Sequence, residues 1–207
     1  SSEIPIVGCA SALEPSKGVS YFLMAAELIL SSGHDVEFVV AGVGPEEETL
    51  RRIAQHLDVA NRVTFAVPGR GFRRFLNTLD VFVLPSLEQG LGTIMFEAMC
   101  LGKPVVATKV GGVSDFLADG EHALLAPPAN HVMLAEKIQY LLDNPDRARR
   151  LAIAGQGLVR REFSAEKMAQ RTAEVYRDVL ERESTRLLEA TAAAGTPPCS
   201  EPSRKLQ

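Results

Sequence analysis

The segment from residue 85 to residue 93 has the composition of an anion-binding loop. It reads Pro85-Ser86-Leu87-Glu88-Gln89-Gly90-Leu91-Gly92-Thr93 and leads from an apolar run into a helical pattern. Two glycines let a backbone approach a ligand closely, and the first N–H groups of a helix favour negative charge because they have no partner within the helix. The same residues also suit a plain strand–turn–helix connection, so both interpretations stay open.

Glu97 follows Thr93 by about one helical turn, so the two side chains fall on the same face of the predicted helix. A carboxylate in that position can accept hydrogen bonds from both hydroxyls of a vicinal diol such as ribose. The alternative interpretation is a solvated glutamate on a surface helix. Residue 97 by itself does not decide between the two.

A second candidate segment, Ser11-Ala12-Leu13-Glu14-Pro15-Ser16-Lys17-Gly18, places Lys17 at the start of the first predicted helix. A lysine there adds a point charge to a phosphate site that backbone N–H groups already favour. A surface lysine beside a turn is the alternative interpretation. The segment Gly42-Val43-Gly44-Pro45 follows the second predicted strand and lacks the third glycine of a dinucleotide fingerprint, which argues against a nicotinamide cofactor.

Cysteine and histidine usage argues against several other kinds of chemistry. Cys9, Cys100 and Cys199 are odd in number and far apart, so they form neither a metal pattern nor a disulfide framework. This usage favours a reducing compartment, and we expect a cytoplasmic protein. The histidines show no metal-ligand spacing and no Ser/His/Asp or Cys/His arrangement is evident, so we expect no metal site and no bound cofactor.

Apolar runs that alternate with helical patterns predict a doubly wound parallel sheet of about six strands, an α/β fold with helices on both faces. The predicted strands cover residues 4–9, 36–41, 62–66, 81–84, 104–107 and 123–125. The predicted helices cover residues 20–32, 46–58, 73–78, 93–101, 113–118, 131–143, 146–161 and 165–188. Ligands of such sheets bind beyond the carboxyl ends of the strands, where these candidate segments fall.

Length, composition and charge suit one globular domain with a tail. The chain has 207 residues, of which 46% are hydrophobic and 23% are charged, and its net charge is −4. The acidic balance argues against a basic nucleic-acid-binding surface. No apolar run reaches the length of about 18 residues that a membrane span needs, and no signal-peptide pattern opens the chain.

Together these segments resemble the carboxyl-terminal, donor-binding domain of retaining glycosyltransferases of the GT-B architecture, the large group 1 family. The resemblance runs from about residue 6 to about residue 180, and its markers are specific in their order and spacing rather than singly. The markers are Leu13-Glu14-Pro15-Ser16-Lys17-Gly18, Phe38-Val39-Val40-Ala41-Gly42-Val43-Gly44-Pro45, Asp80-Val81-Phe82-Val83-Leu84-Pro85-Ser86, Gly90-Leu91-Gly92, Glu97-Ala98-Met99, Gly102-Lys103-Pro104-Val105-Val106-Ala107-Thr108, Gly111-Gly112 and Asp119-Gly120.

The resemblance implies that the chain binds a nucleotide-diphosphate sugar and transfers a hexosyl-type sugar with retention, without a metal. Glu97 falls on the position expected to hold the ribose, and Lys17 on the position expected at the diphosphate. Lys17, Gln89 and Glu88 are the implied catalytic candidates. The implied donor-binding residues are Lys17, Gly44, Gln89, Gly90, Leu91, Gly92, Thr93 and Glu97.

Two positions depart from the family pattern. Gln89 stands where the first glutamate of the Glu-x7-Glu signature is expected, with Glu88 beside it, and Ala12 stands where an arginine is expected. Glutamine can still bind sugar hydroxyls, so we expect donor binding to persist, with the rate or the usual donor changed. A catalytically silent nucleotide-sugar-binding or scaffolding domain is therefore an alternative. A sugar-nucleotide epimerase fits the segment 89–97 less well.

The domain organisation is predicted as a donor-binding domain over residues 1–188 and a disordered tail over residues 189–207, which are rich in Pro, Ser and Ala. The chain begins without methionine and enters an apolar run almost at once. We therefore expect an upstream acceptor-binding domain, and no sugar transfer without it; the alternative is a natural one-domain subunit that docks with a separate acceptor-binding protein.

Overall fold

The computed structural model describes residues 4–67, 69, 71–88 and 92–193, with side chains described up to residue 186. It divides the chain into two compact units, Ser1–Glu162 and Phe163–Gln207. The first unit contains all the strands that the structure describes. The domain boundary at residue 188 and the disordered tail remain predictions, since residues 194–207 lie outside the described part.

The first unit is built on a six-stranded sheet in which every strand pair is parallel, in the order β3-β2-β1-β4-β5-β6. This confirms the predicted doubly wound sheet. Its strands are short and rich in β-branched and apolar residues, which suits strands that are covered on both faces. The strands are β1 (Ile6–Ala10), β2 (Glu37–Ala41), β3 (Val63–Ala66), β4 (Val81–Leu84), β5 (Val105–Thr108) and β6 (Leu124–Ala126).

The helices follow the strands as the sequence pattern predicts, with small changes at their ends. Two short 3-10 turns, Pro15–Lys17 and Ala60–Arg62, were absent from the sequence-based prediction. The helices are α1 (Val19–Ser31), α2 (Glu47–His56), α3 (Phe72–Thr78), α4 (Thr93–Cys100), α5 (Val113–Phe116), α6 (His131–Asp143), α7 (Pro145–Glu162) and α8 (Ala165–Ala193).

One face of the sheet carries the main hydrophobic cluster. Side chains of alternate strand positions, such as Val7, Cys9 and Val106, pack there with α1, α2 and α6. Phe22 of α1 meets Phe38 of β2 edge to face, with ring centroids 5.8 Å apart. Helix α4 contacts β4, β5, α3 and α7, and its buried side chains lie outside this cluster, so it belongs to a second layer.

Helix α8 belongs to the second unit. It is helical as far as Ala193, the last described residue, five residues beyond the predicted end at Leu188. The difference follows from composition, because residues 188–193 read Leu-Glu-Ala-Thr-Ala-Ala and alanine has the strongest helix propensity. Its exposed apolar side chains include Met168, Val175, Tyr176, Val179 and Leu180.

Strand order decides where a ligand can bind. The chain proceeds from β1 outward to β2 and β3, then crosses to β4 on the other side of β1 and continues outward to β6. The connections therefore diverge between β1 and β4. In doubly wound sheets the crevice beyond the carboxyl ends of two such strands is the usual ligand site. The segments that follow β1 and β4 are those singled out from the sequence.

Candidate functional site

Backbone hydrogen bonds join the segment after β1 to the segment after β2. The N–H of Leu13 donates to the carbonyl of Val43 at 2.9 Å, and the N–H of Glu46 donates to the carbonyl of Leu13 at 3.0 Å. The N–H of Ser11 continues the strand pairing by donating to the carbonyl of Ala41 at 3.1 Å. We call the segments 11–18, 42–46 and 85–88 the site loops.

The site loop after β4 is bonded to the loop after β1. The N–H groups of Leu87 and Glu88 both donate to the carbonyl of Ser16, at 2.8 and 3.2 Å. Lys17 is the next residue and ends a 3-10 turn in which its N–H donates to the carbonyl of Glu14 at 3.0 Å. The carbonyl of Ser16, the residue before Lys17, therefore holds the backbone of Glu88 close to that of Lys17. Two residues 71 positions apart in the chain become neighbours in this way.

Glycines at the contacts of the site loops have a packing role. Gly18 has φ 63°, ends the 3-10 turn and precedes α1. A Cβ atom at Gly18 would overlap the carbonyl oxygen of Pro85, and a Cβ atom at Gly44 would overlap the carbonyl oxygen of Leu13. The space beside Gly44 is therefore filled by the chain itself. The packing against Leu13 alone explains glycine at position 44, whether or not a ligand also passes close.

Helix α4 begins beside the loop after β4. Gly92 precedes it with φ 64° and ψ 48° and, as a glycine, has no side chain to cap the first turn. Thr93 and Glu97 are exposed, whereas Met95 and Phe96 are buried. The exposed face of α4 therefore carries Thr93 and Glu97 together, at the turn that Gly92 leaves without an N-cap side chain. The predicted site residues Gln89, Gly90 and Leu91 lie outside the described residues.

The end of β5 is tied to the same loop by a buried hydroxyl. Oγ1 of Thr108 donates to the carbonyl of Ser86 at 2.5 Å and lies 3.2 Å from the carbonyl of Leu84. Thr108 is 3% exposed and Ser86 is fully buried. Such a bond is costly to remove because it would leave buried polar atoms unpaired. In the sequence Thr108 is the last residue of a family marker, and no pattern there reveals this contact.

Ser11 is a polar residue of the site loops that sequence reasoning did not single out. Its Oγ is buried and has no hydrogen-bond partner among the described residues. Buried hydroxyl groups are nearly always paired, with protein, water or ligand. No pattern in the sequence marks this residue, because only the folded loops bury its hydroxyl.

Cys9 of β1 lies two residues before the first site loop, but it is chemically inert there. Burial raises the pKa of the Cys9 thiol well above its ordinary value. The thiol therefore stays protonated at neutral pH and is a poor nucleophile. Within the described part of the chain, no three His, Cys, Asp or Glu side chains are grouped closely enough to hold a metal ion.

A cavity of about 580 Å³ lies far from the site loops, at the amino ends of the strands. Its walls come from the residues that precede β1, β4 and β5 and from α6 and α7. The carboxylate of Asp80, which lines it, accepts a hydrogen bond from the N–H of Ile6 at 2.8 Å. This cavity is separate from the crevice that the strand order defines.

Comparison with known proteins identifies the family. The sequence model of the family described as glycosyl transferases group 1 matches residues 2–158 of this chain. The chain belongs to this family. The resemblance predicted from the sequence motifs is thereby confirmed.

Two curated relatives illustrate the relationship. The alpha-maltose-1-phosphate synthase of Mycolicibacterium smegmatis is 33% identical over 189 residues, which cover 84% of this chain and 48% of that protein. The GDP-mannose-dependent monoacylated alpha-(1-6)-phosphatidylinositol monomannoside mannosyltransferase of Corynebacterium glutamicum is 31% identical over 182 residues, which cover 83% and 46%. The chain spans about half the length of the curated relatives it matches.

A solved structure shows which half this is. The C-terminal domain of a group 1 glycosyl transferase from Francisella tularensis superimposes with a TM-score of 0.71 at 24% identity, covering 78% of this chain and 89% of that one. The fold is thus that of the C-terminal domain of a GT-B glycosyltransferase. In the part of the chain that the structure describes, no helix is both long enough and apolar enough to cross a membrane.

Proposed function

We propose that this chain binds a nucleotide-diphosphate sugar and serves as the donor half of a retaining glycosyltransferase. The observation that carries the proposal is the junction at Ser16, where two backbone hydrogen bonds hold the Lys17 loop against the loop that leads into α4. This junction lies at the divergence of the strand order, where doubly wound sheets bind ligands. The names of relatives such as the GDP-mannose-dependent mannosyltransferase support a nucleotide-sugar donor.

Each part of the donor has a proposed partner. Lys17 and the N–H groups at the start of α4, including that of Thr93, bind the diphosphate, since both favour negative charge. Glu97 on the exposed face of α4 accepts hydrogen bonds from the ribose hydroxyls. The sugar lies near Glu88 and the segment 89–92, and the nucleotide passes Gly44.

In the proposed reaction the bond between the anomeric carbon of the sugar and the diphosphate oxygen breaks, and the diphosphate leaves with the electron pair. The acceptor oxygen bonds the anomeric carbon on the face that the diphosphate leaves, and the proton of the acceptor hydroxyl passes to an oxygen of the departing diphosphate. The protein's task is to stabilise the growing negative charge of the diphosphate and the positive charge of the sugar ring. Lys17 and the start of α4 are proposed to serve the first need, and Glu88 and Gln89 the second.

We propose that activity requires a second domain that binds the acceptor. The curated relatives are about twice as long as the matched region, so the region accounts for only part of each. The contacts proposed for the donor all come from this chain. The positioning of the acceptor beside the donor, a large part of the rate enhancement of two-substrate enzymes, would come from the other domain.

A catalytically silent, nucleotide-sugar-binding domain is the second candidate. It is favoured by Ala12, an exposed apolar residue in the site loop where a cation would help the leaving diphosphate. Both candidates bind donor, and only the transferase turns it over. Turnover of a nucleotide sugar by the full-length protein, with an acceptor mixture, separates the two.

We also propose a cytoplasmic location. Cys9 and Cys100 are free thiols, one buried and one exposed. Exposed free thiols persist most readily in a reducing compartment. Recovery of the native protein with Cys100 as a mixed disulfide or in a disulfide-linked dimer would contradict this proposal.

The proposed function is tested by titrating the chain with UDP, GDP, ADP and their sugars in a calorimeter. We expect at least one nucleoside diphosphate to bind, with its nucleoside binding more weakly because it lacks the charged groups. Magnesium should not be required. If no nucleotide in this panel bound to the folded chain, the proposal would be wrong.

A further inference from the structure

The loop after β4 has a neighbouring strand end on each side. In the sheet, β4 lies between β1 and β5. The segment after β1 carries Lys17, and the first residue after β5 is Lys109. The start of α4 therefore has a lysine in the neighbouring segment on either side of it.

The backbone of Lys109 is held in place by its surroundings. Its N–H donates to the carbonyl of Ala126 in β6 at 2.8 Å, which extends the sheet by one residue beyond β5. The preceding residue, Thr108, donates through its hydroxyl to the carbonyl of Ser86 at 2.5 Å. Lys109 is thus fixed both to β6 and, through Thr108, to the loop after β4.

Strand alternation gives the side of the sheet on which Lys109 lies. Val106 belongs to the cluster formed with α1, α2 and α6, whereas Val105 and Ala107 lie outside it. Successive strand residues alternate between faces, so Lys109 shares a face with Val105 and Ala107. This is the face on which α4 packs. Ala107 is paired with Leu84, so continuing the register brings Lys109 level with Ser86.

The negative charges expected at the loop after β4 would be better balanced by two cations than by Lys17 alone. A nucleoside diphosphate carries more than one negative charge, and the exposed carboxylates of Glu88 and Glu97 add to the repulsion. Ala12 supplies no charge. Lys109 is exposed, and among the described residues no ion pair engages its ammonium group. A lysine side chain is long enough to reach several ångströms from its backbone and binds phosphate as a point charge.

We propose that Lys109 binds the diphosphate of the donor from the β5 side, opposite Lys17 on the β1 side. The inference rests on the proposed function, because it assumes that a nucleoside diphosphate occupies the start of α4. It adds a residue outside the predicted site. Two lysines, from the segments on either side of the loop after β4, then share the neutralisation of the diphosphate, and the leaving group gains the second cation that position 12 does not provide.

The test measures binding of UDP and GDP, and of uridine and guanosine, to the folded chain by calorimetry. Lys109→Gln should weaken the better-bound diphosphate about tenfold, in the range expected for loss of one charged hydrogen bond, and change nucleoside binding less than about twofold. Lys109→Arg should restore most of the affinity. The salt dependence of diphosphate binding should become shallower in Lys109→Gln, because one fewer charge pair is screened.

Lys137→Gln is the matched control, since it removes one lysine charge from α6. In the structure the ammonium nitrogen of Lys137 lies 3.7 Å from a carboxylate oxygen of Asp119. Lys137→Gln should leave both affinities unchanged. If Lys17→Gln weakened diphosphate binding while Lys109→Gln did not, the proposed function would stand and this inference would be wrong. Equal losses for diphosphate and nucleoside in Lys109→Gln would also overturn it, because they would indicate a distorted loop. Failure of every nucleotide to bind the unaltered chain would overturn both proposals.

Discussion

The candidate site carries two exposed carboxylates, those of Glu88 and Glu97. Among the described residues neither carboxylate takes part in an ion pair. Substitutions of exposed, unpaired side chains change the free energy of unfolding little. Binding measurements on such variants therefore report on the ligand rather than on the fold.

Glu97→Ala should weaken nucleotide binding by about 1.5–3 kcal/mol, the usual size of a hydrogen bond to a charged group. The loss should be the same for diphosphate and nucleoside, because both contain the ribose. Calorimetry measures both affinities. Glu136→Ala, at an exposed position of α6, is the control and should bind normally. Unchanged affinity in folded Glu97→Ala would show that Glu97 does not hold the ribose.

The two described cysteines should differ sharply in reactivity. Burial raises the pKa of the Cys9 thiol, so at pH 8 it is protonated and shielded, whereas Cys100 is exposed. Alkylation of the native chain should modify Cys100 and leave Cys9 intact until the chain is unfolded, as mass spectrometry of digests can show. Rapid modification of Cys9 under native conditions would mean that β1 opens readily to solvent.

At the scale of elements, the site depends on contacts between loops rather than on any one loop. The loop after β1 is bonded to the loop after β2 through Leu13 and to the loop after β4 through Ser16. Thr108 ties the end of β5 to the same group. Loops that are bonded to one another lose little further entropy when a ligand binds, so the arrangement favours affinity.

Gly18→Ala should disrupt this arrangement. Alanine at a left-handed position costs about 1–2 kcal/mol. At Gly18 the added Cβ also overlaps the carbonyl oxygen of Pro85, so the two loops must move apart. Gly33 has φ 92° with nothing within 4 Å of an added Cβ, so Gly33→Ala isolates the conformational cost.

Urea unfolding of the two variants should show a larger loss of stability in Gly18→Ala, and only that variant should bind nucleotide more weakly. Equal losses of stability, with normal binding in both, would mean that the contact between Gly18 and Pro85 does not shape the site.

At the scale of the whole molecule, the chain matches about half of each curated relative, and the proposed donor contacts lie in that half. Its first compact unit, Ser1–Glu162, contains all the site loops. We therefore expect donor binding and sugar transfer to be separable properties. Donor binding should need only this unit, and sugar transfer should also need the acceptor to be held beside the donor.

The 207-residue chain by itself should bind donor but transfer no sugar. The reason is proximity: without a second substrate held in place, the reaction loses a rate contribution that can reach many orders of magnitude. The assay combines the purified chain, its best-binding nucleotide sugar and a broad acceptor mixture, with product detected by mass spectrometry. Slow hydrolysis of the donor is compatible with this expectation. Sustained transfer to an acceptor would show that one domain suffices.

Local patterns in the sequence determined the elements of the fold. Six apolar, β-branched runs alternate with helical patterns, and each became a strand within one or two residues of its predicted position. The reason is that the spacing of apolar residues that distinguishes a strand from a helix is a property of residues close together in the chain. The family was recognisable for a similar reason. Its markers are short contiguous runs, such as Gly102-Lys103-Pro104, and both the runs and their order can be read directly along the chain.

Tertiary structure alone decided how the segments meet. Nothing local links Ser16 to Leu87 and Glu88, or Thr108 to Ser86, because these hydrogen bonds join residues far apart in the chain. The packing of Gly44 against Leu13, the burial of the Ser11 hydroxyl and the place of Lys109 beside α4 also depend on which strands become neighbours. Strand order is set by the packing of the whole sheet, and a one-dimensional pattern of residues does not contain it.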